Sequence, residues 1–393
     1  MVNKVKLNVT IPVLFMMLPF MLMAPGLIWR SQLLWFIICP IFIMAFLIKN
    51  LWVRAFLLWI AAWQIVIFFA QFSKQGVNPG PGFEILMAVM AGAVIYKFVS
   101  EGNVTDATWA KFIRAAVIIQ ILIAIPQYFG HNLFLQFISL FMPATEKLPG
   151  HLVGTLGNRN YLAAFIAFSV PFFIGWRTFK VGKWTVNPAL ILIFLFLGFC
   201  LSPGTLAAIL GMGFLMSYRL PFWKRMIALS LATKVCVAYA AAYILTTGYH
   251  LNEFQALPGQ LSQFLTTWRL PLDPALKDVG RFAMWMTAIG NLVAHPLFFI
   301  LGFGPAASWG RNYPIHSQYI SVWFQFGLVG LGLIVGYAIT TYRMLAKKNE
   351  LILLTALVII CLDSVANFPG QIAATAFLIV IILGLIERKR LNE

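Results

Sequence analysis

The sequence predicts an all-α polytopic membrane protein, a single integral membrane domain over residues 1–393 with about 12 transmembrane helices. Three observations predict it. Of 393 residues, 61% are hydrophobic and 10% charged, with mean hydropathy +0.89, whereas a soluble domain carries roughly 25% charged residues. Apolar runs of near-spanning length recur along the whole chain, and no polar stretch between them is long enough for a soluble domain. Basic residues collect in the loops between alternate runs.

In order, the runs fall at 10–28, 32–48, 51–72, 83–99, 110–128, 160–176, 187–202, 204–218, 226–246, 316–341, 351–366 and 372–386. The first follows Lys4 and Lys6 as a secretion leader would. It lacks a small-x-small cleavage site and further runs follow, so it stays a membrane helix. Basic loops then part the runs: Lys49 and Arg54; Lys97, Lys111 and Arg114; Arg177, Lys180 and Lys183; Arg219, Lys224 and Arg225. Arg343, Lys347 and Lys348 follow the tenth run, and Arg388, Lys389 and Arg390 follow the last. With the N-terminus inside, 19 of the 28 Lys and Arg residues lie on the cytoplasmic side, eight lie outside, and Lys234 lies within a run. A thirteenth apolar segment, 282–303, would carry the last two basic clusters outside if it spanned. It reads instead as an amphipathic or re-entrant element of a large outer loop, 247–315, in keeping with Asn291, His295 and Pro296 inside it. Both termini are then cytoplasmic.

The net charge of +17 sits in short loops rather than along one basic face, which argues against nucleic acid as a partner. Cys39, Cys200, Cys236 and Cys361 all fall in apolar runs without CxxC spacing, so they predict neither a disulfide framework nor a zinc site. There is no HExxH, Walker loop, strand-borne GxGxxG or nucleophile elbow. The outer loops carry no carboxylate cluster to hold a divalent metal, so no metal and no cofactor is expected.

All five histidines and five arginines (Arg30, Arg159, Arg269, Arg281, Arg311) fall on the outer side. Guanidinium groups match phosphate oxygens in a bidentate way, so the outer face is a candidate site for a phosphorylated lipid, or else an interfacial anchor. Three places are sharper. Asn158, Arg159 and Asn160 precede a helix starting at the outer face, whose free N–H groups and dipole suit an anion; Asn160 could equally cap that helix. Arg281 and Trp285 are four apart and share a helical face, suited to a sugar-phosphate head group or to snorkelling. His316 and Tyr319 open the tenth run, where a helix dipole disfavours imidazolium and leaves a neutral base. Asp363, within an apolar run near its outer end, is a further candidate, placed to orient His316 or pair with an outer arginine; Lys234 reads as a snorkelling residue.

At these residues the chain resembles the O-antigen ligase and O-antigen polymerase family of bacterial inner-membrane glycosyltransferases. The likeness runs through Gly154-Thr155-Leu156-Gly157-Asn158-Arg159-Asn160, Arg281 with Trp285, His295-Pro296 and Gly302-Phe303-Gly304. It continues in His316 with Tyr319 and Gly327-Leu328-Val329-Gly330, in that order over about 150–335. The resemblance implies metal-free transfer of a glycan from an undecaprenyl diphosphate donor to an acceptor sugar hydroxyl, such as one on lipid A-core, on the periplasmic face of the inner membrane. It makes Arg281 a diphosphate ligand and His316 the base, or the group orienting the acceptor hydroxyl; the outer-face charge pattern, not the resemblance, adds Arg159 and Arg311 to the anion pocket. Two positions depart from the family pattern: its Ser-Arg-Gly reads Ser202-Pro203-Gly204 here, and its His-Asn reads His316-Ser317. Arg159 is the candidate substitute for the missing arginine. A ligase is favoured slightly over a polymerase. A transporter or flippase of the same lipid-linked glycan is the alternative class, which calls for paired repeats and broken helices near the midplane.

Overall fold

The computed structural model describes residue 45 and residues 47–72, 80–129, 154–218 apart from a few single positions, short stretches between 221 and 238, 281–304, 317–366 and 373–392. Over most of 64–90 and at 281–283 the backbone alone is described. The first apolar run, nearly all of the second and much of 226–246 lie outside the described residues.

The described chain is helical apart from one short hairpin, so the all-α expectation holds. The helices are α1 (Leu51–Phe72), α2 (Gly80–Glu101), α3 (Asp106–Tyr128), α4 (Arg159–Ser169), α5 (Pro188–Cys200) and α6 (Pro203–Tyr218). They continue as α7 (Arg281–Ala294), α8 (Pro296–Leu301), α9 (Gln318–Lys348), α10 (Leu351–Ala366) and α11 (Ala373–Leu391). The hairpin, unanticipated in the sequence, pairs β1 (Phe179–Val181) antiparallel to β2 (Trp184–Val186) in the basic loop before α5. Among the described residues, α3 and α9 are the two helices long and apolar enough to cross a membrane by length and composition.

Helix starts are fixed by side chains that accept the free N–H groups of the first turn. Asn50 accepts from Trp52 at 3.0 Å, Thr105 from Thr108 at 3.2 Å, Asn158 from Asn160 at 2.8 Å and Asn187 from Leu190 at 3.1 Å. Ser317 caps α9, and Asn349, at φ 58°, closes it in the left-handed conformation that asparagine tolerates.

The core is organised around α4. Every residue from Leu162 to Ser169 is buried, because α3, α5, α6, α10 and α11 all pack against this short helix. A helix apolar on all sides belongs inside a bundle. The run 160–176 is therefore not one long lipid-facing span: after Ser169 it tightens into a 3-10 turn, Val170–Phe173. Helix α5 runs back along α4, since Asn187 at its start donates to the Phe173 carbonyl at 2.7 Å, near the far end of α4. Helix α6 then starts against the second turn of α4. A side chain at Gly204 would place its Cβ 2.8 Å from the Ala164 nitrogen and 2.9 Å from the Ala163 carbonyl carbon, both backbone atoms that cannot step aside. Small residues let helix backbones approach this closely. Gly204→Val is accordingly expected to cost about 1–3 kcal/mol, read as a lower melting temperature in detergent. Gly198→Ala, whose added methyl would meet no other atom within 4 Å, should not change it.

One end of the bundle gathers the charges assigned to the cytoplasm. Arg388 donates to the Val99, Gly102 and Val104 carbonyls and to Asp106. Lys389 pairs with Asp106 at 3.2 Å and Glu350 at 3.0 Å. Partial burial works against the Lys389 ammonium, but those two carboxylates outweigh it and raise its pKa above the ordinary lysine value. Buried Glu387 holds Arg390 and accepts from Asn50 at 2.9 Å. Helices α2 and α11 lie together towards this end, in contact at Gly92 with Val380 and at Gly384 with Val99.

Helix α9 is broken. Its 31 residues would extend about 46 Å at the helical rise, against a bilayer core of roughly 30 Å. Gly327, at φ 68° and ψ −172°, divides it. The break frees three carbonyls, and all three find donors: Phe324 takes the Phe303 amide at 2.8 Å, Gln325 the Gly304 amide at 2.9 Å, and Phe326 the Trp59 indole at 3.1 Å. In return the Trp323 indole donates to Phe299 at 3.2 Å and Trp63 to Leu301 at 2.9 Å. Phe303 stacks between Phe298 and Phe324, with centroids 4.6 and 4.7 Å away. The segment 282–303 is thus two helices, α7 and α8, parted at His295 and docked on this break; neither has the ~20 residues of a span.

Candidate functional site

The end of the bundle opposite the charge network carries the candidate residues. Its best-defined part is the start of α4. Two glutamines on one face of α3, seven positions apart, hold the preceding turn. Gln127 exchanges two hydrogen bonds with Gly154, accepting from its N–H at 2.8 Å and donating to its carbonyl at 3.0 Å. Gln120 accepts from the Thr155 N–H at 3.0 Å and donates to its hydroxyl at 2.6 Å. Gly154, at φ 57°, turns the chain directly beneath these amides; a Cβ there would meet the Gln120 oxygen at 2.5 Å.

From this turn the chain reaches Asn158. It is Asn158, not Asn160, that caps α4; the Asn160 side chain is left for other work while its N–H is taken by the cap. Arg159 follows at the first helical position, half-buried. Cys200 ends α5, and Ser202-Pro203-Gly204 opens α6 immediately after it. The starts of α4 and α6 therefore converge on one corner, two dipole ends of the same sign beside a guanidinium. Arg159 opens the helix against which Gly204, the residue after Pro203, packs. Buried Ser202 supports that corner by accepting from the Gly204 N–H at 3.3 Å, and Thr205 donates to Leu197 at 2.7 Å.

A second group surrounds the first half of α9. The Tyr319 hydroxyl donates to the Cys361 carbonyl of α10 at 2.9 Å, so it ties two helices together rather than standing open to a ligand. Asp363 lies two residues further along α10 and is 1% exposed. Helix α10 packs on both α9 and α4, so one helix links the Tyr319 group to the helix that Arg159 opens. Arg281 opens α7, and Trp285 one turn later packs into a cluster with Ala288, Leu292 and Phe324. Its indole N–H is buried and has no hydrogen-bond acceptor among the described residues. Asn291 is bonded within α7, to the Thr287 carbonyl at 2.9 Å. His295 is exposed and meets Phe298 and Phe303 edge-on. His316 and Arg311 lie outside the described residues, as do His131, His151 and His250. Lys234 is exposed, as a snorkelling residue would be.

Sequence reasoning missed Gln120 and Gln127. Their signal was present: two amides on one helical face of an otherwise apolar run. It also missed Trp59, Trp63 and Trp323, whose indoles serve the α8–α9 joint; nothing in their local sequence distinguishes them from the chain's other tryptophans.

In comparisons with protein families, curated proteins and solved structures, no match to this chain was found.

Proposed function

We propose that the chain is a multi-pass bacterial inner-membrane glycan transferase of the O-antigen ligase type. Its spans number about twelve, both termini are cytoplasmic, and its site faces the periplasm. The donor is an undecaprenyl diphosphate-linked glycan and the acceptor a sugar hydroxyl. The acceptor oxygen attacks the anomeric carbon, the bond from that carbon to the diphosphate oxygen breaks, and undecaprenyl diphosphate departs with the electron pair. His316 takes the hydroxyl proton, while Arg281 and Arg159 stabilise the charge that develops on the leaving group. Arg311, Asn158, Asn160 and Trp285 line the donor side. Asp363 and Tyr319 act from α10 and α9 as supports.

The observation that carries this reading is the corner of Arg159 and Ser202–Gly204. The resemblance lacks an arginine at Pro203, and Arg159 opens the helix against which the next residue, Gly204, packs at Ala163 and Ala164. The glycines shared with the family are also joints of this fold: Gly154, Gly302, Gly304 and Gly327 all have positive φ.

The test is transfer by purified full-length protein from an undecaprenyl diphosphate glycan to a lipid A-core acceptor, followed on gels. Arg159→Ala and His316→Ala should each lower turnover by about 10²-fold, with donor binding retained in the His316 variant. Arg281→Lys should lose about tenfold because the bidentate geometry is gone. Parental turnover in all three would end the proposal.

A flippase remains a second reading because α9 is broken at Gly327, as transporter helices are. Against it, the freed carbonyls are all taken by protein donors rather than offered to an ion. Scrambling of lipid-linked glycan in vesicles without bond cleavage would favour transport.

A further inference from the structure

We infer that Gln120 and Gln127 are positioning residues for the anion-binding end of α4, setting where Arg159 stands without touching substrate themselves. The inference rests on the transferase reading and adds the elements that orient its arginine. Four hydrogen bonds from one face of α3 fix Gly154 and Thr155. Only Leu156, Gly157 and the cap Asn158 separate that turn from Arg159. Leu156 packs against the main core, and Gly154 lies under Leu162 of α4, so the turn is wedged between α3 and α4. Such amide pairs are costly to place in an apolar helix unless each polar atom is bonded. Here they are spent on two residues of the turn rather than on holding two helices together. Gln127 is 1% exposed and Gln120 half-buried.

The experiment uses full-length protein in detergent and undecaprenyl diphosphate as the probe, with binding and melting temperature measured on the same samples. Gln120→Met removes both bonds to Thr155 and should weaken binding by about tenfold at a melting temperature near the parent's. Thr155→Val, which removes only the hydroxyl, should weaken binding in the same direction, and Thr155→Ser should restore it. In an Arg159→Ala background Gln120→Met should add nothing, because it acts through the same group. Parental affinity in Gln120→Met and Thr155→Val, or full additivity with Arg159→Ala, overturns the inference and leaves the site reading intact. Parental affinity in Arg159→Ala itself overturns the site reading instead. Should Gln120→Met not fold, the Thr155 pair decides alone, since both substitutions leave the Gln127 bonds to Gly154 in place.

Discussion

Gly327→Ala is expected to destabilise the folded protein by about 4 kcal/mol, at the severe end for a single substitution. Two costs combine. The backbone at φ 68° and ψ −172° lies in a region that essentially only glycine occupies. An added methyl would also overlap the Ile300 carbonyl and come within 2.5 Å of the Leu301 carbonyl carbon, both backbone of α8. Relief requires α8 to withdraw, which strips the Phe324 and Gln325 carbonyls of their donors where water is scarce. Gly332 provides the internal control: it lies in the same helix with open space around it, so Gly332→Ala should be neutral or slightly stabilising. Melting temperatures and detergent-denaturation midpoints of the two variants check this. Equal stability of both would mean that α8 does not dock on the α9 break.

Arg388→Met is expected to cost about 1–3 kcal/mol, the range for leaving buried acceptors without their donor. Its guanidinium side chain is 11% exposed and serves three main-chain carbonyls at the α2–α3 corner together with Asp106. Methionine keeps the stem and removes every donor. Arg388→Lys should recover only part of the loss, because one ammonium cannot fork towards carbonyls on different sides. Arg343, in the last turns of α9, is exposed. Arg343→Met removes the same charge, so a topology effect alone would make the two variants alike. Thermal melts and a topology reporter fused to either terminus distinguish a structural clamp from an orientation signal.

Much of the helical framework was legible in the sequence. Leu51–Phe72 and Leu351–Ala366 match their apolar runs at both ends, and α3 needed only extension back to its Thr105 cap. What the sequence hid was which apolar helices are interior. Leu162, Ala163 and Phe165 satisfy a bilayer and a protein core equally well, because lipid tails are as apolar as leucine; only the packing of five neighbours identifies α4 as interior. The break at Gly327 was hidden for a related reason. Gly330, Gly332 and Gly336 sit in the same run, and it is the distant Phe303 and Gly304 amides that select Gly327. At the candidate site, Arg159 and Asn158 were readable from their place before an apolar run. The packing of Gly204 against Ala163 and Ala164 was not, since some forty residues of sequence lie between them. Basic residues read as orientation signals proved to carry a second load: Arg388, Lys389 and Arg390 are all ion-paired.

The enclosure of α4 has a consequence for biosynthesis. In the proposed membrane fold, a ribosome delivers this helix to the insertion machinery long before α10 and α11, two of the five elements that cover it, have been translated. In the interval its all-round apolar surface has only earlier helices and lipid for company. Nascent chains arrested between α6 and α9 should consequently be degraded by membrane proteases or held by an insertase, and release should come only when α11 emerges to close the bundle.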